Sequence, residues 1–471
     1  MSKKTVPSFP FDAVSPKAWK QQIQYELSGE DYNTVMIKQT EEGIKVKPFY
    51  TAEDLPSYKS YNYNSTNAAN KLDLPANGFL ISFEIYANNS EMAHKKALWC
   101  IEKGCDKLVF LVQENIESPE VLLSQIPAHI HVHLLLQKPT SLQIQSFSTY
   151  LNAKNNGLWR CSLDPLTHFF VRGNWWTSET QDLQLLSLLT NKIQLPILTI
   201  DGRIFQSAGA NMSHQLAHVL SHFTAYAVLL SEGKLLSKIK KVYVQLHLGN
   251  NFLMEISKIK AFDLLWASLC KTFNIDLPYS ICAEGATIDK TLYSNNTNSI
   301  RNSTQLLSAV LGGAHELICS PYDRIHKKSH SYSDRLAINQ ALILKHECHF
   351  EGLNNPLSGS FAIEKLAYEL AEKALGVYKS TEAKGGILAG FKNHEIQNQI
   401  LIQYKKSLEK LQRETATLIG ANYLAKREEL TFEKYPFIKQ QQRKTLIPPL
   451  ISKRYAMDWE QKISPDSHEN R

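Results

Sequence analysis

The apolar positions change period along this chain. From about residue 78, short β-rich runs alternate with longer stretches of helical period. GFLISFEIY (Gly78–Tyr86) precedes a helix expected over 92–103, DKLVFLV (Asp106–Val112) a short one over 118–126, and HIHVHLLL (His129–Leu136) one over 140–153. LWRCSLDPL (Leu158–Leu166) precedes 177–192, PILTIDGRI (Pro196–Ile204) precedes 212–232, and KVYVQLHLG (Lys241–Gly249) precedes 252–273. YSICAEG (Tyr279–Gly285) and ELICSPYD (Glu316–Asp323) precede helices over 303–312 and 334–347. Strands separated by helices must run parallel, because each crossover returns the chain to the same end of the sheet.

Eight such units predict an α/β fold, a closed (β/α)8 TIM barrel, against the rival of an open doubly wound sheet. The pattern inside the strands favours the barrel. Val242, Val244, Leu246 and Leu248 share one face of their strand, and Tyr243, Gln245 and His247 the other. The apolar set fits beneath the helices, and the polar set faces the axis. His129, His131 and His133 alternate with Ile130, Val132 and Leu134 in the same way.

The flanks differ. Residues 1–77 read as an arm and linker: Ser15-Pro16 starts a helix, Trp19, Ile23 and Leu27 recur at helical spacing, and Gly29 can end it. SYKSYNYNSTNAAN (Ser57–Asn70) has no period and reads as an exposed linker. The barrel takes 78–349. Residues 350–471 form a C-terminal helical extension, with an amphipathic helix over Phe361–Ala374, further polar helices to 429 and a disordered tail at 466–471.

Composition narrows the class. The chain has 471 residues, 43 % apolar and 21 % charged, with a formal net charge of +7. These values suit a globular protein without a need for nucleic acid. The basic stretch Lys439–Lys444 lacks stacking aromatics. Seven widely spaced cysteines, with no C-x-x-C pair, read as reduced core thiols. With no signal-peptide core and no apolar run of membrane length, a cytoplasmic location is expected.

Candidate chemistry is sparse. His214, His218 and His222 recur at i, i+4, i+8 without an H-E-x-x-H signature, so they read as packed barrel-helix residues rather than metal ligands. The His129, His131, His133 row is too extended for one ion and reads as polar barrel interior. His247 and Asp323 fall near strand C-termini, where barrel sites form, with loop anchoring as the plain alternative. Phosphate-loop, dinucleotide and nucleophile-elbow motifs are absent from the sequence.

Several stretches together resemble the methylmalonyl-CoA mutase family. Ala18–Leu55 follows its order of a Trp, G-x-D-Y, T-x-E-G-I and P-x-Y-T-x-x-D-L. IDGRIFQSAGANMSHQLA (Ile200–Ala217) is similar to the fifth-strand region and FLMEISKIKAFDLLW (Phe252–Trp266) to the F-x-E-I-A-K helix. Asn295–Leu317 and Asp334–Leu366 resemble two further blocks, with Arg301 and Arg335 at family arginine positions read as fold-maintaining. The departures matter as much. Catalytic members carry G-Y-H-M-Q-E-A-G-A, where this chain has Gly202-Arg203-Ile204-Phe205-Gln206-Ser207-Ala208-Gly209-Ala210. Ile204 stands at the histidine position and cannot donate a hydrogen bond. Ser82 matches an arginine position, and G-G-x-Q-S-L has become Gly312-Gly313-Ala314-His315-Glu316-Leu317. The cobalamin motif D-x-H-x-x-G is missing.

The resemblance therefore implies a small subunit without catalytic, cofactor-binding or metal-binding residues and with no cobalamin-binding domain, inactive alone. It implies a heterodimer with a large catalytic subunit that binds adenosylcobalamin and interconverts (R)-methylmalonyl-CoA and succinyl-CoA. Arg203, Ile204, Gln206, His247, Arg301 and His315 are candidates for a degenerate pocket. Trp19, Tyr25 and Tyr32 on the arm are candidate interface anchors. Two other readings remain: a split acyl-CoA mutase using a separate cobalamin-binding chain, and a free-standing acyl-CoA binding module.

Overall fold

The computed structural model describes residues 14–55, 78–154, 156–353, 356–425 and 444–463. Eight parallel strands, Leu80–Ala87 (β1), Lys107–Val112 (β2), His131–Leu136 (β3), Trp159–Leu163 (β4), Ile197–Asp201 (β5), Lys241–Leu248 (β6), Tyr279–Gly285 (β7) and Glu316–Ile318 (β8), make a (β/α)8 barrel. The ladder runs β4-β3-β2-β1-β8-β7-β6-β5. Between β4 and β5 the ring closes through side chains instead: Ser162 Oγ lies 2.7 Å from Thr199 Oγ1, and the Asp201 amide donates to Asp164 at 3.3 Å.

The period-2 reading of the strands holds. Val242, Val244, Leu246 and Leu248 are fully buried in the layer shared with the helices. Each contributes roughly 1.5–3 kcal/mol relative to exposure. The opposite face of β6 joins an interior of mixed polarity. Lys107 Nζ pairs with Glu316 at 2.7 Å and lies 4.1 Å from the Tyr243 ring centre. His133 Nε2 sits 2.8 Å from Ser162 Oγ and 3.2 Å from Thr199 Oγ1, and burial pushes its pKa down to about 3.

Several elements depart from the expected pattern. Residues 118–126 form turns rather than a helix. β4 and β5 are shorter than the apolar runs suggest, because Pro165–Arg172 and Arg203–Ala208 are short helices laid over the strand ends. Asp164 caps the first, accepting from the Thr167 amide, with Pro165 in its first turn. β8 keeps only three residues of its predicted eight. In the extension, helices occupy Phe361–Ala383, Gly386–Lys392 and Glu395–Gln412, and residues 413–425 are turns rather than continued helix.

Helix Phe361–Ala383 packs on Met212–Glu232 and Phe252–Phe273, thickening one side of the barrel wall. Residues 444–463 then run as a strap over the loops that follow β4, β5 and β7. Their amides donate to Gly173 O, Phe170 O, Ser207 O and Ile288 O. Arg454 and Glu460 fasten the strap with a buried ion pair of 2.6 Å, and Glu460 also accepts from the Leu292 amide.

In the arm, Ser15 caps the helix Pro16–Glu26, which has no buried residue. A hairpin of Lys38–Gln39 with Lys45–Val46 follows, and its Ile44 is buried. Glu41 accepts from Ser407, and Glu42 accepts from the Met212 amide, so the hairpin is tied to the body. The predicted linker Ser57–Asn70, the tail 466–471 and all but the last residue of Lys439–Lys444 lie outside the described residues. No described helix is long and apolar enough to cross a membrane.

Candidate functional site

Barrel chemistry belongs at the C-terminal ends of the strands. Here inward positions at or next to the strand ends carry carboxylates: Asp201 on β5 and Glu284 on β7 at the last, and Glu84 on β1 at the one before Tyr86. Gly202 turns the chain from β5 into the helix Arg203–Ala208, and a Cβ there would lie 2.4 Å from Val219 Cγ2. That tight turn aims Arg203 across the mouth. Its Nε and Nη2 fork onto the two oxygens of Asp201 at 2.9 Å each. Nη1 reaches Glu84 at 2.8 Å and Glu284 at 2.7 Å, and Nη2 reaches Gln245 at 3.0 Å.

Arg324 also pairs with Glu284. Burial pushes Glu284 toward protonation, but the charges of Arg324 and Arg203 outweigh it and hold the carboxyl well below its usual range. Glu84 goes the other way: burial dominates and raises it, since it shares one guanidinium with Glu284 and Asp201. Arg203 itself is kept charged by the surrounding carboxylates despite burial. The axis of the barrel mouth is thus filled by a protein cation with its hydrogen bonds already made.

His247, the last inward residue of β6, is buried between Ser207 Oγ, 3.0 Å from Nδ1, and Glu284, 3.5 Å from Nε2. Burial lowers its pKa and Glu284 offsets part of that. Gln206 lies 3.5 Å from Lys258 Nζ, which also meets Glu255 at 2.5 Å, Gln215 at 2.9 Å and the His247 carbonyl at 2.6 Å. Ile204 is half-buried. With Arg203 it borders a cleft of about 510 Å³ at the β1–β5 side of the mouth, whose other walls include Tyr86, Leu111, Leu135 and Trp176.

The candidate pocket residues therefore do not form one site. Arg203, Ile204, Gln206 and His247 surround the mouth. Arg301 lies behind the loop after β7, donating to Asn298 at 2.7 Å, Thr291 at 3.3 Å and the Ile419 carbonyl at 2.6 Å. His315 precedes β8 at the opposite end of the barrel, where its Nδ1 accepts from the Ile281 amide at 3.1 Å. On the arm, Trp19 is half-exposed and stacks on Phe49 at 4.9 Å, and Tyr25 is exposed. Tyr32 is buried, with Lys20 4.8 Å over its ring, so it is not an available anchor in this chain.

The histidine rows serve packing. His222 Nε2 meets Asp164 at 3.1 Å, and His214 Nδ1 meets Asn211 at 2.9 Å. His218 is fully buried between Phe205 and His214 with neither ring nitrogen bonded. Asp323 anchors its loop through His330 Nε2 at 2.8 Å. Among the described residues no cluster of three or more His, Cys, Asp or Glu could hold a metal ion, and all seven cysteines are free thiols. The residues that sequence reasoning missed are Glu84, Asp201 and Glu284. Their signal was available, as an acid at the final inward position of β5 and β7 and at the one before it on β1.

Comparison with known proteins agrees with this architecture. The methylmalonyl-CoA mutase family model matches residues 151–463. The methylmalonyl-CoA mutase small subunit of Porphyromonas gingivalis is 26 % identical over 447 residues, 88 % of this chain and 70 % of that protein. The methylmalonyl-CoA mutase of Rhizobium meliloti is 24 % identical over 407 residues, 75 % of this chain and 56 % of that protein. The large subunit from Propionibacterium freudenreichii is 25 % identical over 238 residues, 48 % of this chain and 32 % of that protein. The chain thus spans little more than half the length of the Rhizobium relative. The matched segment, from β4 and its preceding helix to the strap, covers most of the barrel, and the chain belongs to the methylmalonyl-CoA mutase family.

Proposed function

We propose that this chain is the small, non-catalytic subunit of a methylmalonyl-CoA mutase. It pairs with a large subunit that binds adenosylcobalamin and interconverts (R)-methylmalonyl-CoA and succinyl-CoA. The observation that carries this reading is the filled mouth. Arg203 makes hydrogen bonds to Asp201, Glu84, Glu284 and Gln245 where a barrel enzyme would place substrate. Beside it, Ile204 supplies no donor for a thioester carbonyl.

The described residues do not fit adenosylcobalamin either. His247 is buried between Ser207 and Glu284, and the strap 444–463 covers the loops after β4, β5 and β7. A corrin ring needs an open apolar face and a free histidine held by a second residue. No catalytic step is therefore routed through this barrel. Residues 1–77 would act as the arm toward the partner, with Trp19 and Tyr25 as anchors, 78–349 as the barrel and 350–471 as its extension. Free thiols are in keeping with a reducing cytoplasm.

The test is co-expression with the large subunit, followed by mutase assays on each chain and on the complex. A stoichiometric complex is expected, with turnover unchanged by Ile204→His or Ala in this chain. Turnover by this chain with a separate cobalamin-binding protein, and no large subunit, would overturn the proposal in favour of a split enzyme.

A further inference from the structure

The cleft beside Ile204 adjoins the filled axis, with Asp201 and Arg203 forming one of its walls. Its volume of about 510 Å³ falls in the range of small-molecule sites, and it lies where barrel loops build such sites. Leu111 and Leu135, inward residues at the ends of β2 and β3, contribute an apolar floor. Three groups on its walls have polar or aromatic capacity that the protein does not use. Tyr86 is 64 % exposed at the end of β1, with no partner for its hydroxyl. Trp176 has its ring tilted against His168 at 5.1 Å and its indole N–H unbonded. The Gln137 side-chain amide makes no hydrogen bond.

The next residue, Lys138, has φ +51, a left-handed conformation that non-glycine residues adopt at a cost. Its ammonium pairs only with Glu114, and both side chains are more than half exposed. Such a pair is weak and readily exchanged for a ligand anion. The two acids deepest in the walls already have partners: Asp164 is hydrogen-bonded to His222 and Tyr226, and Asp201 is paired with Arg203. The site thus offers a flat aromatic wall, an apolar floor, one amide able both to donate and to accept, and a cation at the rim.

We propose that this cleft binds a phosphorylated purine nucleoside. The purine lies against Trp176, its edge is read by Gln137, and its phosphate is met by Lys138. A free nucleotide and the phosphoadenosine end of a coenzyme A molecule share this chemistry. Either would make the subunit a ligand-responsive element of the complex rather than only a scaffold, and the site stands whether or not the chain is catalytically silent.

The experiment is calorimetric titration of the full chain with AMP, ATP, adenosine, coenzyme A and inorganic phosphate, repeated on Trp176→Ala and Lys138→Glu. Lys138 lies at the rim and Trp176 is partly buried against the core, so thermal melting checks that each variant is folded. Saturable binding of AMP or coenzyme A is expected. Loss of the ring contact should weaken it about tenfold, in line with base stacking on an aromatic side chain. Charge reversal at Lys138 should weaken the phosphorylated ligands about tenfold and leave adenosine unchanged. AMP and ATP binding without coenzyme A identifies a free nucleotide as the source; coenzyme A binding tighter than AMP, with the same variant sensitivity, identifies its nucleotide end. No saturable binding of either at millimolar concentration, or binding that both variants leave intact, overturns the proposal.

Discussion

Removing the Arg203 guanidinium should leave Asp201, Glu84 and Glu284 facing one another around the barrel mouth. The Arg203 side chain is only 11 % exposed and Glu284 is fully buried, so solvent screening is slight. Breaking a buried pair by deleting one partner costs about 3–5 kcal/mol, and Arg203→Ala should fall near the lower end because Arg324 still holds Glu284. The pH dependence is diagnostic. In the wild-type protein the Glu284 carboxyl is held well below its usual pKa. Its contribution is therefore fully present above the unfolded carboxylate pKa and is lost only as pH falls through its depressed folded value. Without Arg203 the carboxylates shift upward and protonate sooner, each pKa unit being worth about 1.4 kcal/mol. The deficit of the variant should be largest at pH 7.5 and shrink by about 1–2 kcal/mol toward pH 5. Urea unfolding of both proteins at pH 7.5, 6 and 5 measures this. A variant as stable as wild type at pH 7.5, or a deficit independent of pH, would show that the ion cluster does not hold the mouth.

Three further outcomes follow from other parts of the fold. His218 is buried without partners and its pKa is pushed down to about 3 by burial, so it stays neutral while the unfolded chain takes up a proton below pH 6.5. Stability should fall through this residue by about 1 kcal/mol between pH 6.5 and 5.5, and His218→Phe should remove that share of the pH slope; an unchanged slope in urea midpoints contradicts this. Lys107→Met or Glu316→Gln alone should each destabilise by about 3 kcal/mol, whereas Lys107→Met with Glu316→Leu should recover most of the loss, as a double-mutant cycle would reveal. Gly209→Ala should cost about 1–3 kcal/mol by thermal melting, because its φ is +113 and a Cβ there would sit 2.5 Å from the Tyr404 Cβ.

The chain's own pattern was enough for the eight parallel strands and for the face each presents to the axis. The helices Met212–Glu232 and Phe252–Phe273 were legible to the residue, whereas Phe361–Ala383 runs nine residues past the expected end at Ala374. Short elements were not. Arg203–Ala208 looks like the end of a strand in sequence, since DGRI continues an apolar run and six residues carry no helical period. Likewise 118–126 has helical spacing but folds as turns, with Pro119 and Pro127 bounding it.

For the candidate site, the sequence identified which side chains cannot do mutase chemistry, as at Ile204, because hydrogen-bonding capacity is a property of the residue type alone. Which groups meet in space was decided by barrel closure. Glu84, Asp201, Glu284 and Arg203 come from three strand ends up to 200 residues apart, and only the ring brings them within 3 Å of one guanidinium. The same closure separated His315 from His247, placing them at opposite ends of the barrel although the sequence offered both as pocket residues. A period along a strand fixes the face a side chain takes. Its height in the barrel, its neighbours and its charge state depend on the register between strands, which is set by contacts distant in sequence.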